Sequence, residues 1–197
     1  MATSYDQIVK FLKNQELKHK YVDDDEDHEL IITGSATKNF VDDDGDNQIR
    51  IFIELREDGE FIRFIAPQMY KYTGPHKEKV FQLCLMIMWS TKMMQYEYDP
   101  SDGEIRMTIE WPLEDAELTE KQMMRVLAAI VQFADEYHSA FKTAMATGEI
   151  KLEDENEKMS TIRQLMTSLS GMGASELQEL MSAVEEKKKV GEAPSAL

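Results

Sequence analysis

The sequence predicts an α+β domain, with helices packed on one face of an antiparallel sheet, followed by a helical extension. Three observations support that prediction. Residues 49–55 alternate, with Ile49, Ile51, Ile53 and Leu55 on one face and Arg50, Phe52 and Glu54 on the other, which is the period of a strand with one buried side. Two turn signals, Asp58-Gly59 and the stretch from Asp99 to Gly103, each separate a pair of such runs and predict hairpins. Residues 80–89, VFQLCLMIMW, are apolar almost all round, as a helix is when both its sides are covered.

Taken in order, residues 4–20 read as one amphipathic helix. Ile8, Phe11, Leu12 and Leu17 recur at helical spacing, Ser4 serves as N-cap, and Gln7 is placed to complete a capping box. The acidic stretches at 23–27 and 42–46 read as loops, and Leu30-Ile31-Ile32 between them as a strand. Strands then follow at 48–56 and 60–66, a helix from Thr73-Gly74-Pro75 to about residue 92, and a second hairpin at 93–98 and 104–111. Its return strand sends Ile105, Met107, Ile109 and Trp111 inward. Thr119 and Gln122 form another capping-box pair, and the helix they open ends at Gly148. Residues 1–148 thus form the domain. Residues 149–158 read as a charged linker, 159–189 as two short amphipathic helices, and 190–197 as a disordered tail.

Charge and composition exclude several classes. The 197 residues contain 22 Lys and Arg against 38 Asp and Glu, a formal net charge of −16, which repels nucleic acid in the absence of a long basic run. The single cysteine, Cys84, allows no intramolecular disulfide and no paired-cysteine metal or redox site. No apolar run is long enough to span a membrane, and the opening residues lack the pattern of a signal peptide. A cytoplasmic protein is expected.

Catalytic chemistry finds no foothold. Cys84 lies in the most apolar stretch, where a thiolate lacks solvation, and His19, His28, His76 and His138 are dispersed without ligand spacing. The run Asp42-Asp43-Asp44-Gly45-Asp46 does not fit the register of a calcium loop. There is no dinucleotide, phosphate-binding, nucleophile-elbow or zinc-protease motif. No enzyme, metal or cofactor is therefore expected.

What remains are surfaces. Arg50, Phe52, Arg56 and Arg106 fall on the outward sheet face and make a basic and aromatic spot for a partner segment or a small anion. Met86, Trp89, Met93 and Met94 belong to a methionine-rich region suited to a dimer contact or an adaptable groove. In the extension, Ile162, Leu165 and Met166, then Leu177, Leu180 and Met181, form apolar stripes on helices too short to stand alone, so they are candidates for docking.

The hairpin of residues 49–55 and 61–65, the second hairpin of 94–98 and 103–107, and Leu118-Thr119 leading to Phe133-Ala134-Asp135-Glu136-Tyr137 together resemble the YbjN-like family, whose members look like type III secretion chaperones in fold. That resemblance covers about residues 1–148. It implies a type III secretion chaperone-like α+β fold, homodimers, and proteins that hold partner polypeptides or act in regulation, with no catalytic motif to carry over. The expected function is therefore a non-enzymatic cytoplasmic adaptor or chaperone-like regulator that recognises a partner polypeptide. The alternative is a sensor that binds a small anion, such as a nucleotide, on the arginine face.

Overall fold

The computed structural model describes residues 2–24 and 28–152. The expectations for the extension beyond residue 152, including the docking stripes at Ile162, Leu165, Met166, Leu177, Leu180 and Met181, lie outside these residues.

Helix α1 (Tyr5–Asn14) opens as expected at Ser4, whose hydroxyl accepts the Gln7 N–H at 3.3 Å. The Gln7 side chain does not complete a capping box. Its amide instead donates to the Leu118 carbonyl and the Glu117 carboxylate, tying α1 to the entry of the last helix. The long first helix needs correction. Glu16 turns left-handed at φ 55°, which ends the helix, and residues beyond it enter a strand, β1 (His19–Asp24), that extends into the first acidic run.

The sheet continues with β2 (His28–Ala36), β3 (Gln48–Arg56), β4 (Phe61–Lys71), β5 (Met94–Tyr98) and β6 (Glu104–Pro112). Every neighbouring pair is antiparallel, in the order β1-β2-β3-β4-β6-β5. β4 outlasts its predicted length because a bulge at Pro67-Gln68 lets pairing resume at Tyr70; proline sits in strands at such irregularities because it has no N–H to give the ladder. The β3–β4 turn holds Glu57, Asp58 and Gly59 all at positive φ. Gly59 is irreplaceable there, since a Cβ would fall 2.1 Å from the Thr3 carbonyl oxygen.

Helices α2 (Lys77–Ser90) and α3 (Glu120–Thr147) join α1 on one face of the sheet. The period-two prediction holds through the sheet. Ile31, Ile51, Ile53, Ile62, Phe64, Met107 and Ile109 are all buried on the helix side. They meet Ile8 and Leu12 of α1, Val80, Leu83 and Ile87 of α2, and Met123, Ile130 and Phe141 of α3. The α3 capping box forms in full between Thr119 and Gln122, and Gly148 closes the helix left-handed at φ 76°.

Candidate functional site

The C-terminal half of α2 is the first surface the fold leaves uncovered. Val80, Leu83, Cys84 and Ile87 face the core, so the next positions round the helix face outward, and here they too are apolar. Trp89 is 92% exposed, Leu85 63%, Met86 41%, and Met93, in the turn to β5, 62%. The helix end is closed locally: the Ile87 carbonyl accepts the Thr91 N–H and both the Ser90 and Thr91 hydroxyls, all at 2.9–3.0 Å. The helix thus ends without any contact from Trp89, which stands in solvent. Met93 adopts φ 64°, an uncommon and costly conformation for a bulky side chain. Solvent exposure and backbone strain therefore coincide at this corner.

Strand β5 forms the sheet edge beside it. Its Tyr96 N–H donates to the Met88 thioether at 3.2 Å, so a weak acceptor covers one of the edge donors. Toward the start of α2, the Lys77 ammonium lies 5.5 Å from the Phe81 ring centre and 4.9 Å from that of Tyr98. Of the four residues proposed from sequence, Met86, Trp89 and Met93 come together at this corner. Met94 does not join them: it is 5% exposed, opposite Ile109 on the helix-covered face of the sheet. Leu85, missed by the sequence reading, replaces it. Cys84 is buried beneath, and desolvation pushes its thiol up to about 12, which leaves it a poor nucleophile at neutral pH.

Arg50, Phe52 and Arg56 alternate along β3 and Arg106 lies on β6, but Arg50 and Arg56 stand near opposite ends of their strand, about 20 Å apart, and the centre of the face is Arg63, which the sequence reading passed over. Arg63 lies between Glu54 on β3 and Glu110 on β6 by register. It makes contacts of 2.8 Å to Glu110, 3.2 Å to Glu97 and 3.9 Å to Glu54. Arg106 pairs with Glu97 at 2.6 Å and Arg56 with Glu54 at 2.9 Å. An anion arriving at Arg56, Arg63 or Arg106 meets guanidinium groups that already share carboxylates, which lowers the gain from binding there. Phe52 is half-buried between Ile32 and Ile65 in cross-strand register.

The second uncovered surface is a groove of about 590 Å³ between β2 and the N-terminal half of α3, with Leu17, Ile51, Met124, Leu127 and Val131 along its floor. Its rim is fixed by Asp135 of α3. That carboxylate accepts the backbone N–H groups of Lys38, Asn39 and Phe40 at 2.7–3.0 Å. Burial pulls the Asp135 carboxyl up, but these donors outweigh it and hold the group below the usual carboxylate range. Among the described residues no cluster of three or more His, Cys, Asp or Glu side chains is arranged to hold a metal ion, and no helix is long and apolar enough to cross a membrane.

No family model matches the chain, and no curated protein matches it. Solved structures do resemble it. The crystal structure of YbjN from E. coli is similar over 71% of this chain and 94% of that one, at 11% identity and a TM-score of 0.46. A chain of the HopA1–SchA chaperone–effector complex is similar over 66% of this chain and 89% of that one, at 13% identity and a TM-score of 0.44. The likeness to YbjN read from the sequence recurs at the level of structure, as a likeness of fold.

Proposed function

We propose that the chain is a non-enzymatic, chaperone-like binding protein of the cytoplasm that self-associates through the α2–β5 corner and recognises a partner polypeptide. The observation behind this reading is the corner itself, with Leu85, Met86 and Trp89 within one turn of α2, Met93 in the turn that follows, and all four exposed. Large contiguous apolar patches on a soluble surface mark interaction sites, and aromatic side chains with methionine are the types enriched at protein interfaces. Burying Trp89 alone removes roughly 200 Å² from water, worth about 5 kcal/mol before the costs of association. A homodimer covers this surface twice in one contact, because a two-fold axis places the same patch on both sides.

Sedimentation equilibrium on the full chain tests the reading. The expected result is a dimer at micromolar concentration that Trp89→Asp converts to monomer with the fold intact by circular dichroism. A wild-type chain that stays monomeric at hundreds of micromolar, or a Trp89→Asp variant that remains dimeric, overturns the assignment of this surface.

A further inference from the structure

The thioethers of the α2–β5 corner carry a chemistry beyond apolar contact. Among the described methionines only Met86 and Met93 are exposed, and both stand at this corner. Met69, Met94, Met107 and Met123 are buried, and the rest of the described methionines are half-buried. Met86 lies within one turn of Trp89 on α2 and shares its side of the helix. Met93 follows in the turn, left-handed at φ 64° and exposed, while the next residue, Met94, is buried on the helix-covered face of the sheet.

Met88 lies between these two in sequence but is held differently. It is half-buried, and its sulfur accepts the Tyr96 N–H at 3.2 Å on the edge strand β5, so one lone pair is engaged. A sulfur that is covered and hydrogen-bonded meets an oxidant less readily than one in open solvent. The corner therefore offers a pair of reactive sulfurs beside a guarded one.

Oxidation reverses the polarity on which an apolar contact depends. A hydroperoxide transfers one oxygen atom to a thioether. The sulfur lone pair attacks a peroxide oxygen, an S–O bond forms as the O–O bond breaks, the sulfur gives up an electron pair, and the other oxygen leaves, from hydrogen peroxide as water. The sulfoxide is a strong hydrogen-bond acceptor, and burying it without a donor against Leu85 and Trp89 of a second copy is costly. A two-fold contact repeats each residue, so each sulfoxide enters the interface twice.

We propose that Met86 and Met93 form a reversible oxidation site through which hydroperoxides dissociate the α2–β5 contact between two copies of the chain. This rests on the self-association reading above and names its regulation. The oxidant reaches these sulfurs in the free copy, so the dimer protects them, and an oxidised copy is held as monomer by mass action. Reduction closes the cycle: a pair of thiols on a sulfoxide reductase takes the oxygen away as water, leaving the thioether and a disulfide.

Hydrogen peroxide added to the full chain tests this, with sulfoxides located by peptide mass spectrometry and assembly followed by sedimentation equilibrium. Met86 and Met93 should oxidise before Met88, and well before the buried Met94 and Met107. Their conversion should raise the dimer dissociation constant at least about tenfold while circular dichroism stays unchanged. Methionine sulfoxide reductases with dithiothreitol should then restore the dimer. Oxidation of Met86 and Met93 should slow severalfold as protein concentration rises through the range of dimer formation. That dependence should vanish in Trp89→Asp, whose corner stays open. Combining Met86→Leu with Met93→Leu keeps both positions apolar and removes both sulfurs; this variant should dimerise as the wild type does and stay dimeric in peroxide.

An untreated chain that stays monomeric overturns the self-association reading and the oxidation site together. A dimer that survives full conversion of Met86 and Met93 to sulfoxide overturns the oxidation site alone. So does loss of the dimer in the double leucine variant under peroxide, which assigns the sensitivity to other methionines. So too does an oxidation rate at Met86 and Met93 that ignores protein concentration, because the contact then leaves both sulfurs in solvent.

Discussion

His138 shows how a single residue in this fold acquires a measurable consequence. It lies on α3 among aromatic rings, 5.4 Å from the Phe40 ring centre and 5.9 Å from that of Tyr70, with its Nδ1 3.3 Å from the Tyr70 hydroxyl. Burial first, then the Lys142 charge, hold it below its ordinary value of 6.5, against the opposing pull of Asp135. As pH falls, the unfolded chain therefore takes up this proton before the native state does. The stability that follows is complete above pH 6.5 and declines from there toward the lower native value. Urea midpoints at pH 7.5 and pH 5 should drop less in His138→Gln than in the wild type; an equal drop assigns the pH dependence to other groups. In the sequence His138 is one of four dispersed histidines, and its aromatic neighbours come from β4 and from the segment before the acidic loop, contacts set by tertiary structure.

At the scale of elements, local signals hold where nothing competes with them and fail where something does, as when the Gln7 side chain leaves its capping box for the Leu118 carbonyl. The Thr119–Gln122 box and the closure at Gly148 depend on residues within one turn, and both are where the sequence places them. β1 was missed because Leu17 extends the helical spacing and the aspartates that follow resemble a loop; the left-handed Glu16 and the pairing with β2 decide otherwise. Met93 and Met94 look alike in sequence, yet strand register buries one while the turn exposes the other. The Asp135 clamp is a non-local element contact of the same kind, since its carboxylate reaches backbone N–H groups 95 to 97 residues away. Asp135→Ala should cost about 1–3 kcal/mol by urea unfolding, because three N–H groups lose their acceptor. Asp135→Asn, which keeps one acceptor oxygen, should lose less. Equal stability of wild type and alanine variant would mean that water replaces the carboxylate at no cost.

Across the whole molecule, the central position of Arg63 was unreadable without the strand order, because β4 and β6 are neighbours in space and not in sequence. Once they pair, Glu54 and Glu110 flank Arg63. The net charge of −16 also sets how the proposed self-association responds to salt. Two copies repel one another, so the apolar corner should associate more tightly as NaCl rises from about 20 to 300 mM, within the range where screening lengths shrink below the size of the domain. Dimerisation that weakens with salt would assign ionic contacts, and not Trp89 and its neighbours, to the interface.

The strand order also has a consequence for how the domain assembles. Strands β1 to β4 form a meander, each hairpin joining segments that adjoin in the chain, and β5 with β6 forms another. Such local pieces close at small entropic cost. The seam between β4 and β6 is different, since roughly thirty residues, including all of α2, must fold back before its first hydrogen bond forms. The cost of ordering the chain is therefore concentrated at one line through the middle of the sheet, and the commitment to fold is made where the two halves meet.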